Sequence, residues 1–122
     1  MGRSRADRVA EYVDSPRMFH RIRMGNVISC EIEGSEGVYL TSLALSGPAG
    51  STCTCPSEVV PCKHLEALRL TFKEHPKSFT DAERWLAKLG RLSKDDIIAE
   101  LRASILRSPG LIEAMSPARE QD

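Results

Sequence analysis

Aromatic residues are scarce in this 122-residue chain: one tryptophan, two tyrosines and three phenylalanines. Rings supply much of the area that small cores bury, so a core this poor in them gains from a further staple. Long apolar runs are missing as well. None approaches the ~20 residues a membrane helix needs, so no membrane contact is expected. Residues 1–6 carry charge but no apolar stretch, so no signal peptide is expected. Internal repeats and low-complexity segments are absent. HExxH is absent, which removes the commonest zinc-hydrolase pattern. No Cys-x-x-Cys pair is present, which argues against a thioredoxin-like redox site. Net charge is zero, with 17 bases against 17 acids.

Against this background four residues stand out: Cys53, Cys55, Cys62 and His64. They form Cys-x-Cys, a six-residue loop and Cys-x-His, all within twelve residues. Three thiolates and an imidazole complete the tetrahedral set of one Zn²⁺. No coordination position is left for substrate, so the pattern predicts a structural metal and no enzyme. The spacing has its own logic. Residues i and i+2 of a strand share a face, so Cys53 and Cys55 present two sulfurs together. Pro56 cannot donate to a ladder and should end the pairing. Pro61 suits a first helical turn, from which Cys62 and His64 would project. A helix N-terminus favours a thiolate there. Buried or disulfide-linked cysteines are the competing reading.

The pattern resembles the SWIM zinc finger, whose signature is Cys-x-Cys, a variable loop and Cys-x-His followed by a helix. All four ligand positions match. The resemblance extends over residues 8–74, and the run from Leu92 to Ile98 looks like the helical tail of some prokaryotic members. It implies a small stand-alone SWIM protein that binds DNA, a protein partner or both. The implied partners are a recombinase, a transposase or a helicase-type ATPase, with no small-molecule substrate.

The predicted fold class is α+β: an N-terminal helix, a small antiparallel hairpin or sheet, a zinc knuckle leading into a helix, then a helical extension. Residues 1–76 are assigned to the zinc-binding domain. Residues 77–117 are assigned to an extension that packs on it or on a partner, and 118–122 to a frayed tail. Residues 4–14 read as a helix, with Val9, Tyr12 and Val13 at i, i+3 and i+4. Residues 17–24 fit either a further helical turn or an extended run. Gly25-Asn26 is a turn. Residues 27–33 alternate, with Ile28, Cys30 and Ile32 on one face, which predicts a half-buried strand and makes Cys30 a small core residue. Residues 38–45 return as a second strand, and 51–55 form a short third one. The helix after the ligands buries Leu65, Leu68 and Phe72. Thr80 and Glu83 read as a capping box for a helix over 81–89 that Gly90 stops, with Trp85 as a core anchor. Ser93 caps the next helix, whose stripe is Ile97, Ile98, Leu101 and Ile105. Ser108-Pro109 opens a last short one.

Charge is unevenly spread. Residues 1–26 carry six arginines against three acids, and 61–92 carry seven bases against four acids. These basic segments name the contact candidates: Arg17, Arg21 and Arg23, and Arg69, Lys73 and Lys77, suited to phosphates. An ordinary solvated surface is the bland reading. The zinc thiolates themselves add one negative charge and do not attract DNA. The apolar helices over 81–89 and 94–107 would serve another protein or a homodimer seam. The expected function is therefore a non-enzymatic zinc-binding interaction module. The alternative is a redox- or zinc-responsive regulator, with a zinc enzyme behind it. Reduced thiols place the protein in the cytoplasm, or in the nucleus of a eukaryote.

Overall fold

The computed structural model describes residues 4–47, 49–56 and 62–115. Pro61 and the tail over 118–122, each part of an expectation above, lie outside the described residues. The chain is α+β and divides into two compact units, Met1–Arg84 and Trp85–Asp122.

The first unit opens with α1 (Arg5–Ala10). Ser4 and Asp7 cap it reciprocally: the Asp7 N–H donates to Ser4 Oγ at 3.1 Å, and the Ser4 N–H to the Asp7 carboxylate at 3.4 Å. The helix stops short of residue 14. Bonds such as Tyr12 N–H to Val9 O and Ser15 N–H to Tyr12 O tighten the chain into turns. Asp14 then takes a left-handed φ of 51°. Pro16 disfavours helical backbone at Ser15, so the helix does not resume beyond these turns. Val9 and Tyr12 are buried, as their spacing predicts.

Residues 17–24, left open between helix and strand, become β1 (Met18–Met24). It pairs antiparallel with β2 (Val27–Glu33) around Gly25-Asn26, where Gly25 has φ 57° and meets the turn's need for a left-handed residue. A bulge interrupts the pairing between Phe19 and Ile22, and His20 within it has φ 53°. The alternation in β2 holds: Ile28, Cys30 and Ile32 are 0%, 1% and 0% exposed. β3 (Val38–Ala44) pairs along the whole of β2, with Tyr39 opposite Ile32 and Thr41 opposite Cys30. β4 (Thr52–Cys53) adds to β3 with Cys53 opposite Thr41.

α2 (Lys63–Glu74) follows and buries His64, Leu65, Ala67, Leu68 and Thr71. Val9, Tyr12, Met18, Ile28, Cys30, Ile32, Ala67, Leu68 and Phe79 make the core cluster, with Phe72 against it. Both helices thus lie on one face of the sheet. Thr71 Oγ1 accepts from the Asp14 N–H at 2.9 Å, tying α2 to the turn after α1. A 3₁₀ turn (Pro76–Ser78) leads to β5 (Thr80–Asp81), which pairs parallel with β1 at Ile22 and Arg23. The sheet order is β4-β3-β2-β1-β5.

α3 (Ala82–Leu89) corrects two expectations. Thr80 sits in β5, so its place in the predicted capping box passes to Asp81, whose Oδ1 accepts from the Arg84 N–H at 3.0 Å. Trp85 is not a core anchor: it is 57% exposed. Periodicity identifies an apolar face but not what covers it. In the second unit Ser93 caps α4 (Lys94–Arg107), its Oγ accepting from the Asp96 N–H at 3.1 Å, and α5 (Leu111–Met115) follows. Among the described residues no helix is long and apolar enough to cross a membrane.

Candidate zinc centre

Two elements bring the four donors together. The end of the sheet carries Cys53 on β4 and Cys55 two residues on, while Cys62 is the N-cap of α2 and His64 lies in its first turn. The possible ligand atoms of Cys53, Cys55, Cys62 and His64 all lie within 4.8 Å of one another. Cys62 and His64 are 4% and 3% exposed, and Cys53 and Cys55 are half-buried, with Cys55 just past the end of a strand shorter than the predicted 51–55.

The spacing suits zinc. A tetrahedral ion with Zn–S about 2.3 Å and Zn–N about 2.0–2.1 Å has S···N edges of about 3.6 Å. His64 Nδ1 lies 3.7 Å from Cys53 Sγ. Nε2 of the same ring is buried and has no hydrogen-bond partner. The Nδ1 separation from Cys53 matches such an edge, and the unpartnered Nε2 leaves the ring's second nitrogen unspent by the protein. The ring is held by two aromatic neighbours, Tyr12 edge-on at 5.0 Å between centroids and Tyr39 tilted at 5.2 Å. Gly34 makes room for this cage, because a Cβ there would overlap the Tyr39 ring.

Electrostatics fit the same ion. Burial pushes the Cys53 thiol up to about 12, and its hydrogen bond with Thr41 offsets only part of that. Burial, then the charge of Lys63, holds His64 below its ordinary value, so its imidazole is neutral and ready to ligate. Without a cation the sulfur keeps its proton; a divalent ion displaces it. Thr41 Oγ1 lies 3.2 Å from Cys53 Sγ, placed to donate to the ligating thiolate. Cys62 makes no side-chain cap bond in α2, which leaves its sulfur available at a helix N-terminus. These donors fit one structural zinc ion, which would fasten the sheet end to α2. Cys30 stays apart: it is buried in the core, with burial raising its thiol to about 12.

The six contact candidates scatter in role. Arg21 is drawn inward. Its Nη1 donates to Asp14 Oδ1 and Ser78 Oγ, both at 2.9 Å, its Nε to Met18 O at 3.1 Å and its Nη2 to Ser15 O at 3.3 Å. These bonds lie within the chain, because a half-buried guanidinium must satisfy its fork locally. Arg23 lies 5.4 Å from the Phe72 ring centroid and donates to Gly25 O. Arg69 pairs with Glu66 at 3.0 Å. Arg17 and Lys63 lie 5.9 and 5.6 Å from the Tyr12 ring centroid. Lys73 and Lys77 are exposed.

Sequence reasoning missed Thr41, Tyr12, Tyr39 and Gly34 as supports of the site. Alternation along β3 puts Tyr39 and Thr41 on one face, but only the register with β4 sets Thr41 beside Cys53.

Residues 39–70 match the SWIM zinc finger family, whose members are binding modules. The match takes in β3 from Tyr39 on, β4, all four donors and the first two turns of α2. Comparison with curated proteins and with solved structures gives no match.

Proposed function

We propose that this chain is a non-enzymatic interaction module in which one Cys3His zinc ion sets the sheet against α2, and in which the exposed surfaces recognise a protein partner. The observation that carries this reading is the closed donor set. Cys53, Cys55, Cys62 and His64 fill a tetrahedral shell, two of them almost wholly buried, so no position is left for substrate or activated water. A protein partner is favoured over DNA because three of the six candidate cations, Arg21, Arg23 and Arg69, are hydrogen-bonded or ion-paired within the chain. Apolar side chains stand exposed instead, among them Val38 and Leu40 on β3 and Trp85 and Leu86 on α3. The partner class we propose is the one the SWIM resemblance implies: a recombinase, a transposase or a helicase-type ATPase.

A second reading, duplex DNA as ligand, rests on the exposed Arg17, Lys73 and Lys77. The two separate in one experiment. The zinc-loaded chain and a Cys53→Ser variant are used as baits in the native host and, in parallel, titrated onto a labelled duplex at two salt concentrations. A protein retained by the zinc-loaded chain and lost with the variant supports the first reading. Duplex binding that falls steeply with salt and weakens on Lys73→Glu/Lys77→Glu supports the second. Zinc-dependent turnover of any substrate would overturn both.

A further inference from the structure

Alternation along β2 and β3 sorts their side chains onto two faces. Ile28, Cys30 and Ile32, with Tyr39 and Thr41 beside them on β3, lie on the side of α1 and α2 and are buried. α1 and α2 do not reach the other face, and there an antiparallel sheet ordinarily presents polar residues. β2 follows that rule with Ser29, Glu31 and Glu33. β3 departs from it, since Val38 and Leu40 are each 54% exposed. The register puts Leu40 opposite Glu31 and Val38 opposite Glu33. An apolar row therefore runs beside an acidic row about 4.8 Å away, with about 6.7 Å between successive residues along each. A zinc ion on Cys53 would steady this surface, because Cys53 pairs with Thr41, the residue after Leu40.

These carboxylates stand in the surface itself, directly across from the apolar side chains, so they select what can lie on it. Glu31 already receives a ring nitrogen there. The bulge gives His20 a left-handed φ of 53°, which brings its ring to 4.9 Å from that of Phe19, the residue opposite Glu31, and its Nδ1 against the Glu31 carboxylate. Glu33 is exposed and forms no ion pair among the described residues. None of the paired positions of β1–β4 on this face holds a lysine or arginine. Nucleic acid and anionic lipid bring more negative charge and are repelled. A second copy docked face to face would press the carboxylates onto carboxylates or apolar side chains, with no lysine or arginine to meet them. A helix with an apolar stripe and cationic flanks suits both rows. Its residues i and i+4, about 6 Å apart along the axis, match the spacing of Val38 and Leu40, while Lys or Arg beside them reaches Glu31 and Glu33.

We propose that this face of β2 and β3 is the docking surface of the module, and that its occupant is a basic amphipathic helix of the partner protein. The inference rests on the protein-partner reading above and adds the surface and the chemistry it selects. Apolar contact with Val38 and Leu40 supplies the attraction, and Glu31 and Glu33 choose a cationic partner over a neutral or acidic one. The docked helix would form a third layer, opposite α1 and α2.

Two synthetic helical peptides test it on the zinc-loaded full chain, with circular dichroism and zinc content as controls for folding. Both carry the same leucine stripe; one is flanked by lysines, the other by glutamates. In amide nuclear magnetic resonance spectra the lysine peptide is expected to shift β2 and β3, and the glutamate peptide to bind at least about tenfold more weakly. Glu31→Lys/Glu33→Lys should weaken the lysine peptide about tenfold, since two attractive contacts become repulsive. The same variant should bind the glutamate peptide better than wild type does. Leu40→Ser should weaken whichever peptide binds. No binding of the lysine peptide, shifts confined to other elements, or equal affinity for both peptides would each overturn the inference. The bait experiment above separates this failure from that of the wider reading. A host protein retained in a zinc-dependent way by wild type and equally by Glu31→Lys/Glu33→Lys would overturn this surface and leave the interaction module standing.

Discussion

Thr41 Oγ1 lies 3.2 Å from Cys53 Sγ, and the two residues are direct partners across β3 and β4. Thr41 is fully buried, so its hydroxyl has few alternatives to the sulfur. A donor of this kind stabilises a ligating thiolate and fixes its direction. Thr41→Val keeps the shape and removes the donor. Zinc affinity, measured by competition with a chelating dye, is expected to fall about 10–100-fold while the fold is kept. Thr41→Ser should recover most of it. Equal affinity in wild type and the valine variant would show that the hydroxyl serves packing alone.

The donors themselves should behave as a unit. Structural zinc contributes about 10–16 kcal/mol of apparent binding energy in small finger peptides. Cys53→Ser or His64→Ala should bring zinc content well below one equivalent and abolish cooperative unfolding of the first unit. Chelation of the wild-type chain should give the same state, and added zinc should reverse it. A Cys53→Ser chain that is metal-free yet unfolds with the wild-type midpoint would count decisively against a structural role.

Gly34 gives the site a second, indirect support. A side chain at Gly34 would overlap Tyr39, whose ring packs against His64. Gly34→Ala should therefore displace the ring and cost about 1–3 kcal/mol by overpacking. Urea denaturation measures the cost, and nuclear magnetic resonance of the His64 ring protons reports the shift of its neighbour. An unchanged His64 environment would mean that Tyr39 and His64 are not mechanically linked.

The metal site was legible because its signal is local: four donors within twelve residues, each with a spacing that strand or helix geometry explains. The β2 strand was legible for the same reason, since alternation of Ile28, Cys30 and Ile32 is a period-two pattern with one face to bury. What stayed hidden depends on partners distant in sequence. Nothing around Arg21 announces Ser78, which is 57 residues away. The run over 17–24 was ambiguous because Phe19 and Ile22 fit a helical spacing, and the pairing with β2 decides for strand. Thr80 read as a cap because no short-range pattern reveals a two-residue parallel strand.

Cys30 predicts an alkaline limit to stability. Burial raises its thiol from the ordinary 9.0 to about 12. A group whose folded value is raised contributes stability that is fully present below its unfolded value. That contribution is lost as pH rises from about 9 toward 12. Wild type should thus lose stability steadily above pH 9, and Cys30→Ala, although weakened by a small cavity, should show a flatter dependence there. Urea midpoints at pH 7.5, 9 and 10.5 decide the matter. Parallel pH profiles for the two proteins would mean that Cys30 does not titrate in this range.

Arg21 distinguishes a structural cation from a contact cation. Its guanidinium joins Asp14, Ser15, Met18 and Ser78, and so connects the turn after α1, the start of β1 and the 3₁₀ turn before β5. Its hydrogen bond is also what holds the Asp14 carboxyl below the usual range. Arg21→Met keeps the stem and removes every donor. Four lost bonds, two of them to backbone carbonyls, should cost about 2–4 kcal/mol. Lys73→Glu/Lys77→Glu, on exposed side chains, should stay within about 0.5 kcal/mol per residue. Partner or duplex binding, measured under conditions where both variants remain folded, should respond in the opposite order: unchanged by Arg21→Met and sensitive, if at all, to the lysine pair. Arg21→Met lowering affinity while leaving the urea midpoint untouched would return Arg21 to the contact surface.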